Sequence, residues 1–128
     1  MTEADREKAF YDRQYLPLLQ APDHAQRVDF EVLSGNCQNP AHPFFERRRL
    51  YEATLQALRE PPLAGQRVLD YGCGPADFGV WMATEGADVI LLDISPAAIE
   101  VGLRRARASG VEERVRGLAA DASQLAEL

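Results

Sequence analysis

The sequence is poor in the residue types that hold together small secreted, metal-bound or membrane proteins. Its two cysteines, Cys37 and Cys73, stand 36 positions apart. The N-terminus, MTEADREKAF, mixes acids and bases and lacks the apolar core of a secretory leader. A structural disulfide is therefore not expected, and a reducing cytoplasm is the expected setting. The longest purely aliphatic run, Val89 to Leu92, falls far short of the ~20 residues that a membrane helix requires. Only two histidines occur, and Cys37, His42 and His24 offer at best a Cys-x4-His pair, short of the four ligands of a structural zinc site. No metal is expected. Basic residues are the minority, 14 against 20 acidic ones, and the formal charge of -6 provides no footprint for a polyanion. A nucleic-acid partner is thereby disfavoured.

What is present suffices for one domain: 128 residues, 46% of them hydrophobic, can enclose a single core. Residues 1 to 20 open with a charged stretch in which Phe10, Tyr11, Tyr15, Leu18 and Leu19 recur at helical spacing, and Pro17 is expected to end or kink the helix. Residues 21 to 43 are punctuated by Pro22, Pro40 and Pro43 and read as irregular, with Val28 to Leu33 of undecided type. Phe44 to Arg59 lacks Gly and Pro and places Phe44, Tyr51, Leu55 and Leu58 on one side of a helix that stops at Pro61 and Pro62.

From Arg67 the texture changes to short apolar runs alternating with helical segments, the pattern of a parallel sheet. Val68 to Tyr71 reads as the first strand and Asp77 to Glu85 as a helix with Phe78, Trp81 and Met82 on one face. Val89 to Leu92 reads as a second strand, apolar throughout, as if covered on both faces. Ser95 and Pro96 open a helix to about Ala108, with Ile99, Leu103 and Ala106 inward; Arg104, Arg105 and Arg107 read as a solvated face at its negative end. Gly110 ends it, Arg114 to Leu118 is a weaker third strand, and Ala119 to Leu128 begins a loop or short helix.

The chemistry centres on Asp70-Tyr71-Gly72-Cys73-Gly74-Pro75-Ala76-Asp77, a Gly-rich turn between a strand and a helix. Glycines there let a ligand approach the backbone, and the helix beyond presents unpaired N–H groups. A dinucleotide fingerprint wants glycine at the sixth place, where this chain has Asp77, a carboxylate that would repel a pyrophosphate. Asp93 follows Gly74 by 19 residues at the end of the second strand, the separation at which an acid reads a ribose. Cys73 reads as a small buried residue and not as a nucleophile.

In this order, Val68 to Asp121 resembles the class I S-adenosylmethionine-dependent methyltransferases. The resemblance implies a Rossmann-like α/β fold, a parallel sheet with flanking helices, and S-adenosyl-L-methionine as cofactor. Asp70, Gly72, Cys73 and Gly74 match the family's first motif; Ala76 departs from it where a third glycine is usual, which is tolerable if the backbone there is helical. The resemblance further implies that Asp93 accepts from both ribose hydroxyls and that Ile94 packs on the adenine. Asp121 would accept the adenine amino group, and the Ala122 N–H would reach the ring. No catalytic base is assigned.

Two units are expected: residues 1–62 as a helical lid or cap and 63–128 as the cofactor-binding half. Tyr11 and Tyr15 suit either a lid over the cofactor or plain packing of the first helix on the core. The family's sheet has seven strands, so this sequence is expected to hold only three of them. Val68 to Tyr71 then becomes an exposed edge, the chain a fragment, and self-association through that edge an expectation. The acceptor is expected to be a small molecule. Two other readings stay open: a non-catalytic cofactor-binding or interaction module, and an NAD(P)-dependent oxidoreductase.

Overall fold

A computed structural model describes residues 1–22, 38–41 and 45–127. Helix α1 spans Glu3–Leu19, so it does not end at Pro17 but continues for two further residues, and α2 spans Arg48–Leu58; the α/β unit then runs β1 (Arg67–Tyr71), α3 (Asp77–Thr84), β2 (Asp88–Asp93), α4 (Pro96–Ala108) and β3 (Val115–Ala119). Two short 3-10 turns, Glu112–Arg114 and Ala122–Glu127, flank β3. The segment of undecided type, together with His24, Cys37, His42 and Phe44, lies outside the described residues.

The helix ends are written into the sequence. Thr2 Oγ1 accepts the Asp5 N–H at 3.1 Å while the Asp5 carboxylate accepts the Thr2 N–H at 3.0 Å, a reciprocal cap that fixes the start of α1. Ser95 caps α4 by accepting the Ala98 N–H at 3.1 Å, with Pro96 in the first turn. Both strand pairs are parallel, in the order β1-β2-β3, with Tyr71 opposite Leu92 and Asp93 opposite Ala119. Among the described residues β1 is an edge strand, as expected.

Strand alternation divides the sheet into two unlike faces. Val68, Asp70, Val89, Leu91 and Val115 face α3 and α4, and Val89, Leu91 and Val115 are almost wholly buried. Leu69, Tyr71 and Ile90 point the other way and are 51%, 57% and 45% exposed. The expectation that helices cover β2 on both faces is thus met only in part: among the described residues the second face is open at Ile90 and closed at Leu92, which is buried.

The expected inward faces need two further corrections. In α3, Gly79 through Ala83 are all buried, a wider contact than the stripe of Phe78, Trp81 and Met82, because sheet, α2 and α4 all press on this short helix. In α4, Ile99 and Ala106 are buried as expected but Leu103 is 37% exposed; Ala98, Val101 and Gly102 take the inner positions. Helix α2 joins this core through Leu55, which is buried, and through Tyr51, whose ring lies 5.7 Å from that of Phe78.

Helices α3 and α4 approach β2 closely because each meets Leu91 with a glycine. A Cβ at Gly79 or at Gly102 would lie 2.6 Å from a Leu91 methyl carbon, inside contact distance. Gly102→Ala is expected to destabilise the fold by ~1–3 kcal/mol through overpacking, read as a lower urea midpoint with an unchanged slope; an unchanged midpoint would show that α4 can retreat from the sheet without cost.

Candidate functional site

At the carboxyl ends of the three strands lies a cleft of about 440 Å³, lined by Glu7, Tyr11, Tyr15, Tyr71, Gly72, Leu92, Asp93, Ile94, Ala120, Asp121 and Ala122. This is the size and the place at which open α/β sheets hold ligands. Of the residues singled out in the sequence, Gly72, Asp93, Ile94, Asp121 and Ala122 meet here. Parallel register makes that possible, since Tyr71 pairs with Leu92 and Asp93 with Ala119, so the three strands end side by side.

Asp93 organises the cleft. One carboxylate oxygen accepts the Gly74 N–H at 2.9 Å, and the other accepts the Ser95 N–H at 2.9 Å. Each oxygen keeps acceptor capacity for a further donor. The Gly-rich turn is closed by two more bonds, since the Gly72 and Cys73 N–H groups both donate to the Leu92 carbonyl, at 2.8 and 3.1 Å. Gly72 and Gly74 have φ of +65° and +53°, left-handed values that side chains disfavour. A Cβ at Gly72 would meet nothing within 4 Å, so bare backbone faces the cleft there.

Three sequence-selected residues lie elsewhere. Asp70 does not line the cleft: strand alternation sends its side chain under α3, where burial raises its carboxyl above the ordinary range and the Gly79 N–H pulls it partly back. Gly74 is buried beneath Tyr15, whose hydroxyl would lie 3.0 Å from a Cβ at that position. The Cys73 thiol, half-buried, is pushed up to about 12, first by burial and then by the charges of Asp70 and Asp93. It stays protonated at neutral pH, as expected of a residue that is not a nucleophile.

Two expectations about the turn are corrected. Ala76 does not stand on right-handed helical backbone; its φ and ψ are 63° and 34°, and it is fully buried. The third-glycine position is thus left-handed, which explains why glycine suits it. Nor is Asp77 a free charge opposing a pyrophosphate. It pairs with Arg105 at 2.6 Å, and both side chains are largely buried. The cluster at the end of α4 is correspondingly not one solvated face: Arg105 holds Asp77, Arg104 donates to the Leu19 carbonyl, and Arg107 alone pairs in the open, with Glu112 at 3.2 Å.

Helix α1 roofs the cleft. The Tyr11 and Tyr15 rings stack with centroids 6.2 Å apart and 14° between planes, and burial followed by the charge of Asp93 raises the Tyr15 phenol. Glu7, Tyr71, Leu92 and Ala120 also line the cleft, and the sequence reading gave none of them a ligand contact. Tyr71 carried a usable signal, since alternation must turn it away from Asp70. Glu7 carried one too, one helical turn before Tyr11 on the same face.

Residues 63–128 match a family described as a methyltransferase domain. The ribosomal RNA small subunit methyltransferase C of Chromohalobacter salexigens is 42% identical over 64 residues, 50% of this chain and 19% of that protein. The ubiquinone biosynthesis O-methyltransferase of Pseudomonas putida is 32% identical over 108 residues, 78% of this chain and 44% of that protein. The crystal structure of magnesium protoporphyrin IX methyltransferase from Synechocystis PCC 6803, with bound SAH, has the same fold over 97% of this chain and 54% of its own, with a TM-score of 0.62 at 16% identity. The chain spans less than half the length of the two sequence relatives.

The buried carboxylate gives a pH prediction. Because Asp70 has a folded value above its ordinary 3.8, its contribution to stability is full below 3.8 and is lost as the pH rises through the raised value. Asp70→Asn, which keeps an acceptor for the Gly79 N–H, should therefore gain stability relative to the native chain as pH climbs from 3.8 to neutral. Parallel urea melts across that range check it, and a constant difference between the two proteins would contradict it.

Proposed function

The chain belongs to the class I S-adenosylmethionine-dependent methyltransferases, and from that membership we propose that its cleft binds S-adenosylmethionine and serves methyl transfer to a small-molecule acceptor. The carrying observation is that Asp93, the bare Gly72 backbone and Asp121 open into one cleft. Their order along it suits an adenosyl group: Asp93 for the two ribose hydroxyls, Ile94 beside the adenine, Asp121 and the Ala122 N–H at its polar edge. The amino-acid tail would run toward the Gly-rich turn. Asp70 acts from below, bracing α3, and Cys73 only fills space.

When bound, the donor supplies a methyl group made electrophilic by its sulfonium. The residues of this chain then have the tasks of holding that nucleoside and excluding water. Within the expected cap of residues 1–62, helix α1 serves as the cover, with Tyr11 and Tyr15 as its inner surface, whereas α2 joins the core of the cofactor-binding half, residues 63–128. Tyrosine rings beside the cleft suit a cationic ligand, as do the carboxylates of Glu7, Asp93 and Asp121.

The choice of a small acceptor rests on charge. The chain carries 14 basic against 20 acidic residues, and none of the described residues lining the cleft is basic. The ubiquinone-pathway relative matches along more of this chain than the ribosomal RNA relative does, 78% against 50%. The cytoplasm is the setting proposed with this activity.

Calorimetric titration with S-adenosylmethionine, S-adenosylhomocysteine and NAD tests the reading. Saturable binding of the first two is expected, with none of the third. Asp93→Ala should weaken the nucleosides by ~1.5–3 kcal/mol, the worth of a hydrogen bond to a charged group, and Asp121→Ala should weaken adenosine itself in the same direction. Unchanged affinity in both variants would remove these carboxylates from the site, and binding of NAD alone would replace the reading.

A further inference from the structure

Helix α1 covers the cleft although none of its side chains is fully buried, and Phe10 and Leu16 are 56% and 49% exposed. Apolar burial therefore contributes little to holding it. Its contacts with α4 include two polar ones, each joining a charge to a helix end. The Asp12 carboxylate accepts the Ser95 hydroxyl at 2.6 Å and the Ala97 N–H at 3.2 Å, at the N-terminus of α4. Seven residues further along each helix, the Arg104 guanidinium donates to the Leu19 carbonyl at the C-terminus of α1.

The signs are complementary to the helix dipoles at both points. A negative charge meets the positive end of α4, and a positive charge meets the negative end of α1. Equal seven-residue steps mean that the two helices run side by side in the same direction, so one contact fixes α1 along its length and the other fixes its angle. Between the two tethers stands Tyr15, set over Gly74. Asp12 lies three residues before Tyr15 on the same helix, and Ser95, its partner, also donates its backbone N–H to Asp93. The tether is thus joined to the central carboxylate of the cleft through a single residue.

We propose that Asp12 and Arg104 form a two-point electrostatic clamp that seats α1 over the cleft, making Asp12 a positioning residue for the lid that Tyr11 and Tyr15 provide. The proposal rests on the cofactor reading for its effect on ligand affinity, and on the contacts alone for its effect on α1. A helix held by charges at its ends, with little apolar surface committed, can open and reclose without unfolding the sheet below it.

The test is amide hydrogen exchange on the ligand-free chain, with β2 as internal reference, together with S-adenosylhomocysteine dissociation followed in the same variants. Asp12→Ala should speed exchange in residues 3–19 by about tenfold and leave β2 unchanged. Asp12→Asn keeps the accepting oxygen and loses only the charge, so it should fall between that variant and the native chain. Arg104→Gln should act in the same direction as Asp12→Ala, and raising the salt concentration should narrow the gap between native and Asp12→Asn chains. The dissociation rate of S-adenosylhomocysteine should rise in step with α1 exchange.

Unaltered α1 exchange in both Asp12→Ala and Arg104→Gln overturns the clamp. Faster α1 exchange with an unaltered ligand dissociation rate overturns the positioning role. Failure of the native chain to bind the nucleoside would sink the cofactor reading, while the exchange result on α1 would still support or refute the clamp.

Discussion

The Asp93 carboxylate is the constraint on which the cleft depends. With one oxygen on the Gly74 N–H and the other on the Ser95 N–H, it ties the turn after β1 to the start of α4 across the end of β2. Both bonds are charge-assisted and partly screened from water, so they are stronger than ordinary backbone bonds. Glycine takes the left-handed backbone at positions 72 and 74 without steric cost, whereas the same conformation at Ala76 is strained. It persists because this carboxylate and the Leu92 carbonyl over-determine the turn. A residue expected only to touch a ligand is thus also the residue that shapes the place where the ligand would lie.

A second organising fact is the separation of acids by depth. Burial raises the Asp70 carboxyl most, and the nearby charges of Asp93 and Asp77 push it in the same direction. Each has a different counterweight: Arg105 for Asp77, the Gly79 N–H for Asp70, and two backbone N–H groups for Asp93. Asp93 alone of the three opens into the cleft. The buried pair supports the helix behind the turn, and the open acid remains available to a polar ligand.

The α/β half was legible in the sequence because its signals are local. Val68 to Tyr71 and Val89 to Leu92 are strands, Ser95 caps α4, and Gly72, Asp93 and Asp121 share a cleft, each within a residue or two of the positions expected. What failed was long-range. No window around Arg105 reveals that Asp77, 28 residues away, will neutralise it. Nor does the charged texture of α1 reveal that Asp12 will meet Ser95, 83 residues on. The inward direction of Asp70 was readable in principle, since alternation separates it from Tyr71, but motif resemblance placed it with the ligand contacts. Ala76 misled for a different reason: a left-handed alanine breaks the rule by which backbone shape is read from residue type.

The parallel pairing has a kinetic meaning as well. Arg67 pairs with Asp88, and Val89 with Val115, so each ladder closes over an intervening helix and no strand can zip onto an immediate neighbour. Such topology gives high contact order, and the entropy of closing those crossovers must be met before any sheet bond rewards it. Gly74 and Asp93 come within reach of one another only once the first crossover has closed. The cleft is lined from the ends of all three strands, so its walls stand together only when both crossovers are closed.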